Sequence, residues 1–195
     1  MIGDQELERL MAGNGRFVEG KQHGCDIGQG RREALAGGQQ PYAVILSCAD
    51  SRVPPEHVFD EGLGDLFVIR VAGNVATPAV MGSIEYAVAQ IGTPLLMVLG
   101  HSGCGAVAAT YDVLTQGEDG LTDGLQALVN EIRPSVESVV DEEKGNAVAI
   151  AVAANVEASI EALKQSPIIA DALQNGRVRL VGAVYDLASG VVNLL

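Results

Sequence analysis

The sequence predicts an α/β protein with a mostly parallel central sheet of four strands, an antiparallel edge strand, flanking helices and an N-terminal helical arm. Four apolar runs lack polar alternation, which is typical of strands buried on both faces. Helical patterns separate these runs, as in a parallel sheet with right-handed crossovers. The chain then closes on a short apolar segment that follows a tight turn.

The length of 195 residues suits one domain, since single domains typically run to about 100–200 residues. Residues 1–38 are predicted to form a helical arm and loop, and residues 39–195 the α/β core. The arm begins with helical spacing from residue 4 to about residue 20, followed by Gly-rich polar sequence through Gly38. Its apolar positions are Leu7, Leu10, Met11 and Phe17.

The core alternates predicted strands with predicted helices. The buried-strand runs are residues 42–47, 66–72, 94–100 and 178–186. Helices are predicted from Thr77 to Gly92, over 105–116, over 121–140, and along the apolar stripe Val148, Val152, Val156, Ile160 and Leu163. Pro134 should kink or split the third of these. A turn at Ser189 and Gly190 precedes the antiparallel edge strand.

Composition excludes some classes of function. The net charge is -13 with only 12 Lys and Arg residues, which argues against a nucleic-acid partner because phosphate binding needs clustered basic side chains. No uninterrupted apolar stretch approaches the roughly 18 residues of a membrane span. The charged N-terminus lacks a signal-peptide pattern, so a cytoplasmic protein is expected. There are three cysteines, which favour a metal site or a reactive thiol over a disulfide framework.

Three potential metal ligands follow two of the predicted strands. Cys48 ends the run YAVILS, while His101 and Cys104, in GHSGCGAV, end the run PLLMVLG. If these strands are parallel neighbours, the three side chains meet at the carboxyl edge of the sheet, where ligands collect in such folds. Zinc favours Cys and His ligands, and three of them leave its fourth tetrahedral position open. The sequence therefore predicts a catalytic zinc site.

Two other interpretations of the same residues stay open. Zinc could serve only to tie the sheet edge together, in which case it would be structural. The glycines of GHSGCGAV before a helix could instead belong to a nucleotide-binding turn, although the GxGxxG spacing is absent.

Asp50 and Arg52 lie two and four residues after Cys48. Alternate side chains of an extended segment share a face, so both can point toward the same site as Cys48. Arg binds a carboxylate bidentately, which would keep Asp50 ionised and in one orientation. The pair is predicted to orient a zinc-bound hydroxide and to keep Asp50 off the metal. Alternatively, it is an ion pair that only braces the loop.

The chain resembles the β-class carbonic anhydrases through CADSR (48–52), GDLFVIRVAGN (64–74), GSIEYAV (82–88) and GHSGCGAV (100–107). The resemblance extends from NGRFVEGK (14–21) to VYDLASGVV (184–192). It implies reversible hydration of CO₂ to bicarbonate and a proton through a zinc-bound hydroxide. It also implies one Zn²⁺ per chain held by Cys48, His101 and Cys104, with Asp50 and Arg52 as the catalytic dyad.

The plant-type branch of this family has a glutamine nine residues before the first zinc cysteine, here Gln39. The resemblance implies that Gln39 contacts a substrate oxygen, and that the backbone N–H of Gly105 meets an anionic oxygen. It further implies an apolar CO₂ pocket lined by Phe67, Ala72 and Tyr86. Each of these side chains would also suit an ordinary loop or core position.

Another branch closes its site by letting the aspartate ligate zinc and carries a Trp three residues before the first zinc cysteine. This chain has Ile45 there and no Trp, which favours a site that stays open. Relatives that use the same zinc site on carbon disulfide or carbonyl sulfide are not distinguished by these motifs.

Family members form dimers or larger assemblies, with the arm across the partner, so a homodimer or higher homo-oligomer is expected. The arm's apolar side chains, which a small core does not explain, agree with this. His57 is the candidate proton shuttle, against the alternative of a loop histidine without a role.

Overall fold

The computed structural model describes residues 2–24, 26–117 and 120–195, so Cys25 lies outside the described residues. Five strands in this part of the chain form one sheet: β1 (Ala43–Ser47), β2 (Leu66–Arg70), β3 (Leu95–His101), β4 (Arg179–Tyr185) and β5 (Val192–Leu194). Their order is β2-β1-β3-β4-β5. The first three pairings are parallel and the last is antiparallel. This architecture confirms the predicted fold class.

Helices connect and cover the strands. In the described residues they are α1 (Asp4–Val18), α2 (Gln29–Leu35), α3 (Pro55–Val58), α4 (Pro78–Tyr86), α5 (Gly105–Gln116), α6 (Asp123–Glu137), α7 (Lys144–Lys164) and α8 (Pro167–Gln174). A 3-10 turn at Ala72–Asn74 follows β2, and a π-helical turn at Ala87–Ile91 extends α4 to Gly92. The predicted helix at 105–116 coincides with α5.

The predicted split at Pro134 is wrong, because α6 continues through this residue to Glu137. Pro134 removes the one hydrogen bond that its N–H would donate to the carbonyl oxygen of Asn130, and α6 ends three residues after it. Helix α2 was not predicted from apolar spacing. None of its residues is buried, so it needs no apolar stripe.

Alternate residues of the central strand β1 supply the two faces of the core. Ala43 and Ile45 pack with Leu10 of α1, while Val44 and Leu46 pack with side chains of α4 and α7 on the opposite face. All four β1 side chains are fully buried. A strand covered on both faces needs no polar alternation, which accounts for the continuous apolar run.

Helix α1 packs on its own sheet. Leu7 and Leu10 are buried, and Met11 and Phe17 pack against the same core cluster. Asn14 joins the helix to the rest of the domain, because its Nδ2 donates to the Gly190 carbonyl at 2.8 Å. The interpretation of these apolar side chains as unexplained by the chain's own core is wrong, and they no longer indicate a partner.

Helix α7 lies against β3 and β4. A methyl group at Gly100 of β3 would lie 2.7 Å from Cγ2 of Val156, so the helix and the strand approach as closely as glycine allows. By length and composition α7 is the one helix in the described residues apolar enough to cross a membrane. Eight of its residues are buried in the protein, so its apolar face is accounted for by the core that it covers.

Candidate active site

The carboxyl ends of β1 and β3 bring the three predicted ligands together. The two strands are parallel neighbours with Ser47 opposite Leu99. Cys48 follows β1 directly, and His101 is the last residue of β3. Cys104 comes three residues later, after Gly103 turns the chain with a φ of 63° that glycine adopts without strain.

The side chains of Cys48, His101 and Cys104 form a compact buried cluster. Their potential ligand atoms all lie within 4.8 Å of one another, and the two sulfur atoms are 4.0 Å apart. The exposed fractions of the three residues are 4%, 0% and 1%. In the described part of the chain, this is the group of His, Cys or carboxylate side chains with the geometry to hold a metal ion.

The orientation of His101 suits a metal. Its Nδ1 lies 3.0 Å from the carbonyl oxygen of Ser102, and since a carbonyl can only accept, Nδ1 carries the proton. Nε2 is then the ring nitrogen that is left to act as a ligand, in a cluster whose potential ligand atoms lie within 4.8 Å of one another. Nε2 is buried and has no hydrogen-bond partner, although buried polar atoms are nearly always satisfied. A soft or borderline cation is the partner that this donor set fits.

The two thiols differ in their acidity. Hydrogen bonds from the Cys104 thiol and from the backbone N–H groups of Asp50 and Gly73 lower the pKa of Cys48 below its ordinary value, against the opposing effect of burial. The neighbouring Cys48 sulfur and burial raise the pKa of Cys104 above its ordinary range. Without a cation, Cys48 is therefore the more acidic of the two thiols. A dication would favour ionisation of the second thiol.

Asp50 and Arg52 form a bidentate ion pair at the edge of this cluster. The backbone N–H and the Nε of Arg52 donate to Oδ1 at 3.0 and 2.9 Å, and Nη2 donates to Oδ2 at 2.8 Å. These bonds hold the pKa of Asp50 well below its usual range. Oδ2 lies 3.9 Å from Nε2 of His101. The carboxylate is thus ionised and borders the ligand cluster.

Comparison with known proteins assigns the family. A family model described as carbonic anhydrase matches residues 43–192. A carbonic anhydrase from Mycolicibacterium smegmatis is 42% identical over 194 residues, covering 95% of this chain and 89% of that protein. Carbonic anhydrase 2 from Mycobacterium tuberculosis is 41% identical over 189 residues, covering 93% of this chain and 87% of that protein.

Solved structures give the class within the family. The β-carbonic anhydrase CcaA superposes with a TM-score of 0.76 at 27% identity, over 98% of this chain and 92% of that chain. A tetrameric β-carbonic anhydrase from Sordaria macrospora superposes with a TM-score of 0.76 at 26% identity, over 98% of each chain. The chain belongs to the β-class carbonic anhydrases. It is therefore an enzyme, a lyase of the carbonic anhydrase type, as its motifs predicted.

Sequence reasoning missed Arg70, the last residue of β2. Its Nε donates to the carbonyl oxygen of Cys48 at 3.0 Å, and its Nη2 donates to the carbonyl oxygen of Asp50. Arg70 thereby holds the backbone on both sides of Ala49. The signal that could have found it is a charged residue that ends an otherwise apolar strand.

Ala72 and Gly105 lie next to the ligand cluster of the enzyme. Ala72 begins the 3-10 turn whose Gly73 N–H donates to Sγ of Cys48 at 3.4 Å. Gly105 follows Cys104 and begins α5, so its N–H is among the unpaired donors of the first helical turn. Both residues are therefore near enough to the cluster for the roles that the resemblance implies.

Gln39, Phe67 and Tyr86 lie together but away from the ligand cluster. Gln39 and Tyr86 line a cleft of about 670 Å³ with Gln90, and the ring centroids of Phe67 and Tyr86 are 6.4 Å apart. Phe67 pairs with Val44, four residues before Cys48. At about 3.3 Å per residue, that separation is about 13 Å. Within one chain these side chains do not line the space beside the cluster.

Proposed function

We propose that the enzyme hydrates CO₂ reversibly to bicarbonate and a proton at a zinc centre held by Cys48, His101 and Cys104. The observation that carries this proposal is the buried Nε2 of His101, which has no hydrogen-bond partner and belongs to a compact cluster with two sulfur atoms. Two thiolates and one imidazole are ligands that zinc favours, and three ligands leave one tetrahedral position open. Zinc held by these three residues would act as a Lewis acid and would lower the pKa of a water bound at that position.

Asp50 supplies an acceptor beside that position. An ionised carboxylate has about four lone-pair sites, and Arg52 occupies two on Oδ1 and one on Oδ2. Oδ2 therefore retains acceptor capacity, 3.9 Å from Nε2 of His101. It can accept a hydrogen bond from an O–H group of water or bicarbonate. A carboxylate in this position favours oxygen atoms that bear a proton and orients their lone pairs toward CO₂.

Arg52 fixes where Asp50 points. Because the bidentate pair engages both carboxylate oxygens, it holds Asp50 in the orientation of an acceptor and disfavours its rotation onto a metal as a fourth ligand. This supports a site that stays open, together with the absence of Trp from the sequence. A crystal structure of the zinc-loaded enzyme at neutral pH tests it, since a bond between Asp50 and the metal would contradict an open site.

We propose that a second copy of the chain completes the substrate site, in a homodimer or a larger homo-oligomer. By its register with Val44, Phe67 lies about 13 Å along the sheet from Cys48, and Tyr86, which packs near it, is 51% exposed. These side chains can meet substrate only if another copy brings its cleft to this cluster. The related Sordaria macrospora enzymes are tetrameric. Light scattering coupled to size exclusion tests the assembly, and a fully active monomer would contradict it.

Finer assignments belong to the same proposal. Gln39, nine residues before Cys48, supports the plant-type branch, and residues 1–195 are proposed to form one carbonic anhydrase domain.

A cytoplasmic location is supported by the chemistry of the site, because two free thiols 4.0 Å apart need a reducing compartment to remain ligands. Fractionation of the source cells, with activity assayed in each fraction, tests the location.

Stopped-flow CO₂ hydration by the zinc-loaded enzyme tests the function. We expect activity that rises with pH as the coordinated water deprotonates, and a loss of at least about 100-fold in Asp50→Ala and Arg52→Ala with zinc retained. A purely structural zinc predicts a fold that depends on metal and no effect of either substitution. Absence of activity across pH 6–9 in protein that carries one zinc per chain would overturn the proposal.

A further inference from the structure

The turn at Ala72–Asn74 contributes a hydrogen bond to the ligand cluster. The N–H of Gly73 donates to Sγ of Cys48 at 3.4 Å, and the contact is buried. Gly73 has a φ of 70°, and a methyl group on it would lie 2.6 Å from Cδ1 of Ile132. The turn is thus confined to one conformation in a tight space, and its amide is aimed at the sulfur.

Two buried side chains of α7 hold this turn. Nδ2 of Asn155 donates to the carbonyl oxygen of Gly73 at 2.6 Å, and Oγ of Ser159 donates to the carbonyl oxygen of Asn74 at 3.0 Å. Asn155 is 2% exposed and Ser159 is 4% exposed. Residues four apart lie on one face of a helix. Buried polar groups on an apolar helix are costly unless paired, so these bonds fix the turn against α7.

Helix α7 is itself held firmly against the strand that carries His101. Val156, the residue after Asn155, is fully buried and packs against Gly100, the residue before His101. The same helix therefore contacts the strand end that supplies one ligand and the turn that bonds to another. Displacement of Gly73 relative to Cys48 is resisted by the amide of Asn155, and displacement of β3 is resisted by Val156.

We propose that Asn155 is a positioning residue of the metal centre. It holds the Gly73 N–H on the sulfur of Cys48, and this hydrogen bond sets how much charge the thiolate donates to its metal. Outer hydrogen bonds to metal ligands commonly control affinity and reactivity in this way. The inference rests on the proposed zinc centre, and it adds a residue of α7 to the groups that tune that centre.

Cobalt substitution tests this role, because Zn²⁺ has a filled d shell and no useful spectrum. In the full-length Asn155→Leu variant, which has nearly the original volume but no donor, we expect the thiolate-to-Co²⁺ charge-transfer band to shift to lower energy, since a less hydrogen-bonded thiolate gives up charge more easily. Affinity for Co²⁺, measured by competition with a chelator, should fall about 10- to 100-fold, because the turn no longer fixes the Cys48 sulfur in its position as a ligand.

Ser159→Ala is the matched control, since it removes a buried bond from α7 to the next residue of the same turn. We expect its charge-transfer band to match that of the parent and its Co²⁺ affinity to stay within about threefold. A purely structural Asn155 would lower the melting temperature of Asn155→Leu without moving the band or the affinity, and that result overturns the inference. Equal effects in both variants also overturn it, because the whole turn would then be responsible.

Two further measurements keep the test decisive. If Asn155→Leu does not fold, Asn155→Ala is measured in its place, with the same expected band shift. In the ¹¹³Cd-loaded parent, scalar coupling between the Gly73 amide proton and the metal should be detectable, and its absence overturns the inference. A parent that binds one Co²⁺ per chain and hydrates CO₂ upholds the proposed function whatever the variants show. A parent that binds no metal at the cluster contradicts both.

Discussion

The guanidinium of Arg70 is hydrogen-bonded to the backbone of Cys48, with Nε of Arg70 donating to the Cys48 carbonyl oxygen at 3.0 Å. The same side chain reaches the carbonyl oxygen of Asp50. One arginine on β2 therefore fixes the backbone of the residue that supplies a thiol and of the residue that supplies the carboxylate. The spacing between these two functional groups depends on a side chain that contacts neither of them.

Arg70→Gln should reduce kcat/KM by roughly tenfold with the zinc content unchanged, because the ligands remain while the carboxylate loses its fixed position. Stopped-flow CO₂ hydration and metal analysis of the same sample measure the two effects. Arg177→Gln, a change at a surface arginine paired with Asp171, is the control and should behave as the parent. Loss of zinc in Arg70→Gln would contradict this expectation and show that the bond from Arg70 to the Cys48 carbonyl is also needed to hold the thiol in place.

Arg52→Gln should raise the pKa of Asp50 toward its ordinary value of about 3.9, because the hydrogen bonds of Arg52 are the largest cause of its depression. Since folding lowers this pKa, the Asp50 carboxylate stabilises the fold above the unfolded pKa, and that contribution is lost as pH falls through the folded value. The variant should therefore bind its proton at a higher pH.

Carbon-13 NMR of the Asp50 carboxyl group from pH 7 to pH 2 measures this titration. Arg31→Gln is a suitable control, because Arg31 pairs with Asp65 and should leave the titration of Asp50 unchanged. An identical Asp50 titration in Arg52→Gln and in the parent would show that another group holds the carboxylate ionised.

Gly73→Ala should lower the free energy of unfolding by at least about 1–2 kcal/mol, the cost of a left-handed residue with a side chain. The 2.6 Å approach to Ile132 adds to this cost. Gly82→Ala is the opposite case, since Gly82 lies within α4 with nothing within 4 Å. Gly82→Ala should raise the free energy of unfolding by about 0.5–1 kcal/mol. Urea unfolding measures both, and a Gly73→Ala protein as stable as the parent would contradict the confinement of the turn.

His101→Ala should reduce the zinc retained after dialysis by at least about tenfold, because it removes the ring nitrogen that belongs to the same cluster as the two thiols. The strands should still form, since their pairing and core do not involve this ring. His57→Ala serves as the control for metal content, as His57 is exposed in α3. Unchanged turnover of His57→Ala in weak buffer would also remove this residue as the proton shuttle. Full zinc content in His101→Ala would contradict the ligand set.

The strands and the clustering of Cys48, His101 and Cys104 were predictable because their sequence patterns are local. β1 and β3 read as apolar runs, and residues that directly follow parallel neighbours must share one sheet edge. The hydrogen bonds that hold the backbone of the site in place were not predictable in the same way. Arg70 donates hydrogen bonds to residues 22 and 20 positions away in the chain, and Asn155 donates one to a residue 82 positions away. No periodicity of the sequence indicates such contacts.

The packing of α1 and the position of the cleft also needed the three-dimensional structure. The apolar residues of α1 indicate only that something covers them, and the sheet of the same chain does so. Phe67 belongs to a strand whose carboxyl end lies near the cluster, but its register with Val44 puts it at the other end. Sequence spacing identifies the strand, whereas register decides which end of it a side chain occupies.

The contact between Gly100 and Val156 limits how this family of sequences can diverge. A methyl group at position 100 would lie 2.7 Å from Cγ2 of Val156. A larger side chain at either position alone would therefore displace α7 or the strand that ends at His101. Relatives that accept alanine at position 100 should carry a smaller residue at position 156. The two positions are expected to covary, and that correlation can be counted across homologues without any knowledge of their activity.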